Sequence, residues 1–227
     1  MKRLGKKLLV LSICLLSIFS LVACGSDKKD ETLKVGVIQF MEHPSLDTIR
    51  ESTLSALEDA GYKDGDNVEI IYQNGNGDTN TLDTICKDFQ SKDVDVIVAI
   101  ATPAAQSAAN YAEDIPVIFA AVSDPVGAKL VDDMDKPSYN ITGTSDEVQV
   151  DQIVDLALEM YPETKSIGYL YNSGEANSVS NLEKLQEYAK EKGLTVNEGV
   201  VTTTADAKTA TQVLCEKSDI IFCNGPF

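Results

Sequence analysis

Several things are scarce in these 227 residues, and each scarcity excludes a function class. Tryptophan is absent, histidine occurs once and cysteine five times. A single histidine argues against a His-based metal site and against a Ser-His-Asp triad. Five scattered cysteines are too few for a disulfide scaffold. No GxSxG, Walker A, HExxH or CxxC pattern occurs. The stretch Asn74-Gly75-Asn76-Gly77-Asp78 hints at a calcium loop, but the sixth and twelfth positions are Thr79 and Ile85 instead of Gly and Glu. Basic charge is scarce too: 19 Lys+Arg stand against 36 Asp+Glu, a net charge of −17. Four of the basic residues (Lys2, Arg3, Lys6, Lys7) precede residue 8, so the remainder carries 15 against 36, or −21. Such a surface repels phosphate backbones, and no nucleic-acid partner is expected. Metal and cofactor are likewise expected to be none.

Long apolar runs are also lacking. After the basic start, residues 8–23 carry no charge, but sixteen helical residues rise only about 24 Å. That falls short of the roughly 30 Å hydrocarbon core. The run ends Leu21-Val22-Ala23-Cys24-Gly25, which resembles the bacterial lipobox. Residues 1–23 therefore read as an export signal, with Cys24 as the lipidated new N-terminus, since several acyl chains on one residue supply stable anchoring. Residues 24–31 (CGSDKKDE) form a polar tether. The expected location is extracytoplasmic, lipid-anchored to the bacterial membrane.

From Leu33 onward the sequence settles into a repeating α/β rhythm. Residues 33–40 (LKVGVIQF), 68–72, 94–101 (VDVIVAIA) and 115–121 (IPVIFAA) read as short apolar strands. Helical spacing appears between them at Leu46, Ile49, Thr53, Leu57 and Ala60, then at Leu82, Ile85, Cys86 and Phe89, then in the Ala-rich stretch to Ala112. Residues 125–142 interrupt the rhythm. It restarts with a helix through Val150, Ile153, Ala157 and Tyr161, a strand at 166–171 (SIGYLY), and a helix closed by Gly193. A strand at 195–201, a helix over about 205–217 and the strand DIIFC complete it. The pattern predicts doubly wound parallel sheets in two lobes, 32–145 and 146–227. Cys86, Cys215 and Cys223 fall on helix or strand positions and are expected to be small core residues.

In open parallel sheets ligands sit beyond the C-terminal strand ends, where helix N-termini offer N–H groups. Those ends carry Gln39 and His43, Thr102, Ser123 and Asp124, then Asn172, Glu175, Asn177 and Ser178. Each has an ordinary alternative. Thr102 before Pro103 reads equally as a helix cap, Asp124-Pro125 as a turn, His43 as a solvated loop residue, and Glu175, Asn177 and Ser178 as a helix start. Their convergence on one edge is the argument for a site.

The segments VGVIQFMEHPSLDTIRE, GYKDGDNVEIIYQNGNGD, AIATPAAQSAAN, IPVIFAAVSDPVGAKLV, NITGTSDE and IGYLYNSGEANSVSNLE occur in this order. Together they resemble the substrate-binding lipoproteins of bacterial ABC importers, of the tryptophan/tyrosine type. The resemblance implies a periplasmic-binding-protein-like fold of the three-crossover kind, an aromatic amino acid buried between lobes, an ABC permease as partner, no enzymatic activity and a monomer. It further implies that Thr102, Ser123 and Asp124 face Asn172, Glu175, Asn177 and Ser178 across a cleft, with Gln39 and His43 at its mouth. On that basis Thr102 and its helix N-terminus are assigned the ligand carboxylate, and Glu175 or Asp124 its ammonium. An extracellular sensor of the same fold and an α/β enzyme using Asp124 or Glu175 are the competing functions. Members of the family continue past DIIFC, whereas Asn224-Gly225-Pro226-Phe227 ends this sequence. The second lobe, and with it the function, is therefore expected to be incomplete, leaving Ile220, Ile221 and Phe222 with partial cover. For the anchor, Cys24→Ala is expected to persist as an unprocessed precursor that takes up no lipid label; normal labelling of that variant contradicts the lipobox assignment.

Overall fold

A computed structural model describes residues 32–137 and 139–223. The export signal, Cys24 and the tether lie outside the described residues. The first sheet is built from β1 (Leu33–Gln39), β2 (Val68–Asn74), β3 (Val96–Ile100), β4 (Val117–Val122) and β5 (Ile141–Ser145), in the order β2-β1-β3-β4-β5. Every pairing in it is parallel. Helices α1 (Pro44–Asp59), α2 (Thr79–Ser91) and α3 (Thr102–Ala109) make the crossovers. After residues 146–149 come α4 (Val150–Met160), β6 (Ser166–Asn172), α5 (Ala176–Lys192), β7 (Thr195–Val201), α6 (Thr204–Lys217) and β8 (Ile220–Cys223). The second sheet has the order β7-β6-β8, again parallel. From Leu33 on, both sheets belong to one compact unit.

Both faces of the first sheet are covered at its centre, which is why β1 and β3 are buried almost continuously instead of alternating. On one face Ile38, Ile97, Ala99 and Phe119 pack with Leu82, Ile85 and Phe89 of α2 and Ala104, Ala105 and Ala108 of α3. On the other, Val35, Val37, Val98 and Ile100 pack with Leu46 of α1. Ala104, Ala105 and Ala108 of α3 are fully buried; small side chains let this short helix lie close to the sheet. The second sheet buries Ile167, Tyr169 and Tyr171 against Val154, Leu182 and Leu185. Gly193 caps α5 in the left-handed conformation at φ 72°, the role its position in the sequence implies.

Two expectations are corrected. No strand is expected between the interruption at 125–142 and the helix through Val150, yet Ile141–Ser145 is the fifth strand of the first sheet. Of the three cysteines expected in the core, only Cys86 is buried; Cys215 and Cys223 are exposed. Burial pushes the Cys86 thiol up to about 12, with Asp83 adding to the shift, so it packs as an inert apolar group.

The β4–β5 pairing has one tight constraint. A Cβ on Gly143 would lie 2.0 Å from the Phe119 carbonyl oxygen, and a backbone atom cannot rotate away. Gly143→Ala is expected to destabilise the chain by about 1–3 kcal/mol in urea melts; an unchanged midpoint contradicts this packing.

Candidate functional site

The strand orders fix where a site can form. In the first sheet the chain goes from β1 out to β2 and returns to β3 on the other side, so the order reverses between β1 and β3. In the second sheet β6 lies between β7 and β8, with the reversal between β6 and β8. At such reversals the helices after each strand leave on opposite faces and open a crevice beyond the strand ends.

At the end of β1, Gln39 is fully buried. Its Nε2 donates to the Met41 carbonyl (2.7 Å) and to Asp47 Oδ1 (2.8 Å), and its Oε1 accepts from Arg50 Nη1 (3.0 Å). The same Nη1 reaches Asp47 Oδ1 and the Tyr72 hydroxyl, and the guanidinium lies 4.6 Å from the Tyr72 ring centre. Protein partners thus occupy the Gln39 amide, which ties the β1 end to α1. Asp47, Arg50 and Tyr72 escaped the sequence reading because they sit among exposed-looking helix and strand positions. His43 is the N-cap of α1, its Nδ1 accepting from the Ser45 N–H at 3.3 Å.

Thr102 is not a cap. It is the first residue of α3 and 2% exposed, and the cap position is held by Ala101 with φ 77°, ψ 157° and no side-chain hydrogen bond. Alanine rarely adopts that conformation, which costs of order 1–3 kcal/mol. A second alanine, Ala121 at the end of the neighbouring β4, also has a positive φ of 55°. The strain thus falls on adjacent strand ends, at the edge where the crevice opens. Because no side chain caps α3, no side-chain acceptor satisfies its first N–H groups.

Ser123 and Asp124 come directly after β4, both half-buried. Asp124 Oδ1 accepts from the Gly127 N–H (2.8 Å), and its Oδ2 accepts from Ser180 Oγ of α5 (2.5 Å). Burial raises this carboxyl, but the bonds from Ser180 and Gly127, with the Lys184 charge, outweigh it and hold the group below its ordinary value.

Beyond β6, Asn172 Oδ1 accepts from the Gly174 N–H and its Nδ2 donates to Glu175 Oε1 (3.1 Å). Ser178 Oγ donates to Glu175 Oε2 (3.3 Å). Glu175 is the residue preceding α5. Its burial pushes the carboxyl up and outweighs the hydrogen bonds from Ser178, Asn172 and Asn177. Asn177 Oδ1 is buried without a hydrogen-bond partner, so an acceptor stands open beside a half-buried acid. Ser178 is fully buried, and its carbonyl accepts from the Tyr169 hydroxyl (2.9 Å).

These two groups of strand ends meet. Ala176, in the first turn of α5, packs against the core of the first sheet, and Asp124 reaches Ser180. The structure therefore brings Asp124 to the α5 face that also carries Ala176 and Asn177, and clusters Asn172, Glu175, Asn177 and Ser178. Gln39 and His43 engage their own helix instead. Ser180 was missed in the sequence, although it lies three and four residues after Asn177 and Ala176 and so shares their helix face. Wide grooves lie elsewhere: one of about 780 Å³ along α1 and β2, and an apolar one of about 370 Å³ against β8, lined by Ile153, Met160 and Phe222. Among the described residues no His/Cys/Asp/Glu group could hold a metal ion, and no helix is long and apolar enough to cross a membrane.

The family profile described as "ABC transporter substrate binding protein" matches residues 34–226. The chain belongs to that family. Among curated proteins it is 40% identical over 203 residues to the tyrosine-binding protein of Clostridioides difficile (strain R20291), covering 88% of this chain and 59% of that one. A structure from Streptococcus pneumoniae in complex with L-Trp superposes with a TM-score of 0.81 at 41% identity, covering 86% of this chain and 65% of the other. The ligand-free, open structure of a substrate-binding protein with adhesive properties from Clostridium difficile gives 0.60 at 42% identity, covering 84% and 65%. The chain thus spans somewhat under two thirds of the length of these relatives. A periplasmic-binding-protein-like α/β fold with parallel sheets is what they share with it. For this member of the family, Ala101→Gly is expected to raise stability by about 1 kcal/mol by releasing the left-handed strain; a lower unfolding midpoint contradicts the strained geometry.

Proposed function

We propose that this chain is the extracytoplasmic receptor of an ABC importer, lipid-anchored through Cys24, and that it captures an aromatic amino acid of the tyrosine or tryptophan class and hands it to a permease. In this reading it acts as a monomer, by binding and without turnover. Residues 32–145 and 146–227 are the two lobes, and the ligand lies between them at the strand-end crevice. The similarity that carries this reading is the one to the L-Trp complex, in identity and in three-dimensional arrangement together. The tyrosine-binding relative points to the same ligand class.

The chemistry at the strand ends suits a zwitterion. The uncapped N-terminus of α3, with Thr102, offers N–H groups and a favourable dipole to a carboxylate. Glu175 and the open Asn177 Oδ1 offer a half-buried acid and an acceptor to an ammonium. Asp124, the other acid considered for the ammonium, is tied across to Ser180 of α5, whereas Glu175 lies two residues from the unpartnered Asn177 Oδ1, so the role is given to Glu175. Ser123 and Asn172 complete the polar lining.

The pH dependence has a definite sign. An ammonium binds the ionised carboxylate, so affinity is full at neutral pH and falls as pH drops through the raised pKa of Glu175. The loss begins above the pH expected of an ordinary glutamate. Calorimetric titration with L-tyrosine, L-tryptophan and L-leucine is expected to give one-to-one binding of the aromatic pair and no product. Glu175→Gln is expected to weaken binding about 10- to 100-fold, the loss of one charged hydrogen bond, and to remove the acid limb. Consumption of the ligand, or equal binding by Glu175→Gln across the pH range, overturns this reading.

A further inference from the structure

We propose that Asp124 and Ser180 form a latch between the two halves of the molecule, so that Asp124 is a positioning residue that holds the crevice shut and not a contact for the ligand. The two side chains come from opposite sides: Asp124 from the loop after β4, Ser180 from the second turn of α5. They are 56 positions apart in sequence, with Oγ and Oδ2 at 2.5 Å. The carboxylate is aimed by its own loop. Its other oxygen takes the Gly127 N–H, and the Asp124 carbonyl takes the Ala128 N–H at 2.9 Å. Gly127 matters for space, because a Cβ there would lie 2.3 Å from Oδ2. Any larger residue at 127 pushes the carboxylate out of the position from which it meets Ser180.

The surroundings favour the bond in the shut arrangement. Ala176, one turn before Ser180, is seated on the first-sheet core. Lys184, one turn after it, contributes positive charge at Asp124 and pairs with Glu147 in the segment joining the halves (2.9 Å). When the halves part, Asp124 and Ser180 return to water separately, so the charged hydrogen bond adds only to the shut state. The chain superposes at 0.81 on the L-Trp complex and at 0.60 on the open, ligand-free structure, with nearly equal identity and coverage; the arrangement holding this bond is the one nearer the former.

A hydrogen bond to an ionised partner at a half-exposed site shifts the shut-to-open ratio by about tenfold. The test compares the full chain with Ser180→Ala and Ser180→Thr by small-angle X-ray scattering without ligand. Ser180→Ala is expected to give a larger radius of gyration at an unchanged unfolding midpoint, and Ser180→Thr, which keeps the hydroxyl, to restore the smaller value. The aromatic amino acid should also leave Ser180→Ala about tenfold faster, an effect that rests on the proposed function. The scattering comparison does not, so the two can fail separately. Equal radii for the chain and a folded Ser180→Ala variant, or no recovery in Ser180→Thr, overturn the latch.

Discussion

Parallel pairing is the constraint on which the rest of this molecule depends. Among the described residues every strand pair in both sheets is parallel, so each needs a crossover, a helix in every case but the loop between β4 and β5, and every C-terminal strand end falls on one edge of its sheet. That single rule collects polar residues distant in sequence at two edges. The order reversals beside β1 and β6 then separate the helices there. The crevice is a consequence of how parallel sheets are wound, and the side chains at its rim only give it chemistry.

The two edges are joined by few but specific contacts. Ala176 inserts α5 into the first-sheet core, and Asp124 meets Ser180. Around them the charges are arranged unequally. Asp124 is held ionised by donors and a lysine, whereas Glu175 is raised by burial that its hydrogen bonds do not offset. Two acids on facing strand ends thus have opposite electrostatic situations, which suits one to holding protein together and the other to receiving a cation. The backbone strain at Ala101 and Ala121 lies on the same rim, consistent with the tendency of strain to gather where a site must be shaped.

The order of strands and helices was legible because apolar runs of four to eight residues alternate with helical spacing and end at glycines such as Gly193. β5 was not, because ITGTS is polar and carries a glycine; its strand character comes from pairing with β4, a tertiary effect. Cys215 and Cys223 show the limit of periodicity, which gives a face but not what covers it. At the site, the position of a residue at a strand end was readable and its partner was not. Gln39 looked like a rim residue, and only the meeting of β1 with α1 reveals Asp47 and Arg50 on its amide. Thr102-Pro103 looked like a cap because sequence gives no hint that an alanine takes the left-handed cap position before it.

The central claim, that an aromatic amino acid is buried between the two halves, can be read without labelling the protein. The chain has no tryptophan, so the indole emission of added L-tryptophan reports only on the ligand. Titrating the chain into L-tryptophan is predicted to shift that emission to the blue and to saturate at one ligand per chain, with L-tyrosine reversing the shift by competition. Emission that stays at its value in water, with the chain folded and in excess, contradicts the account.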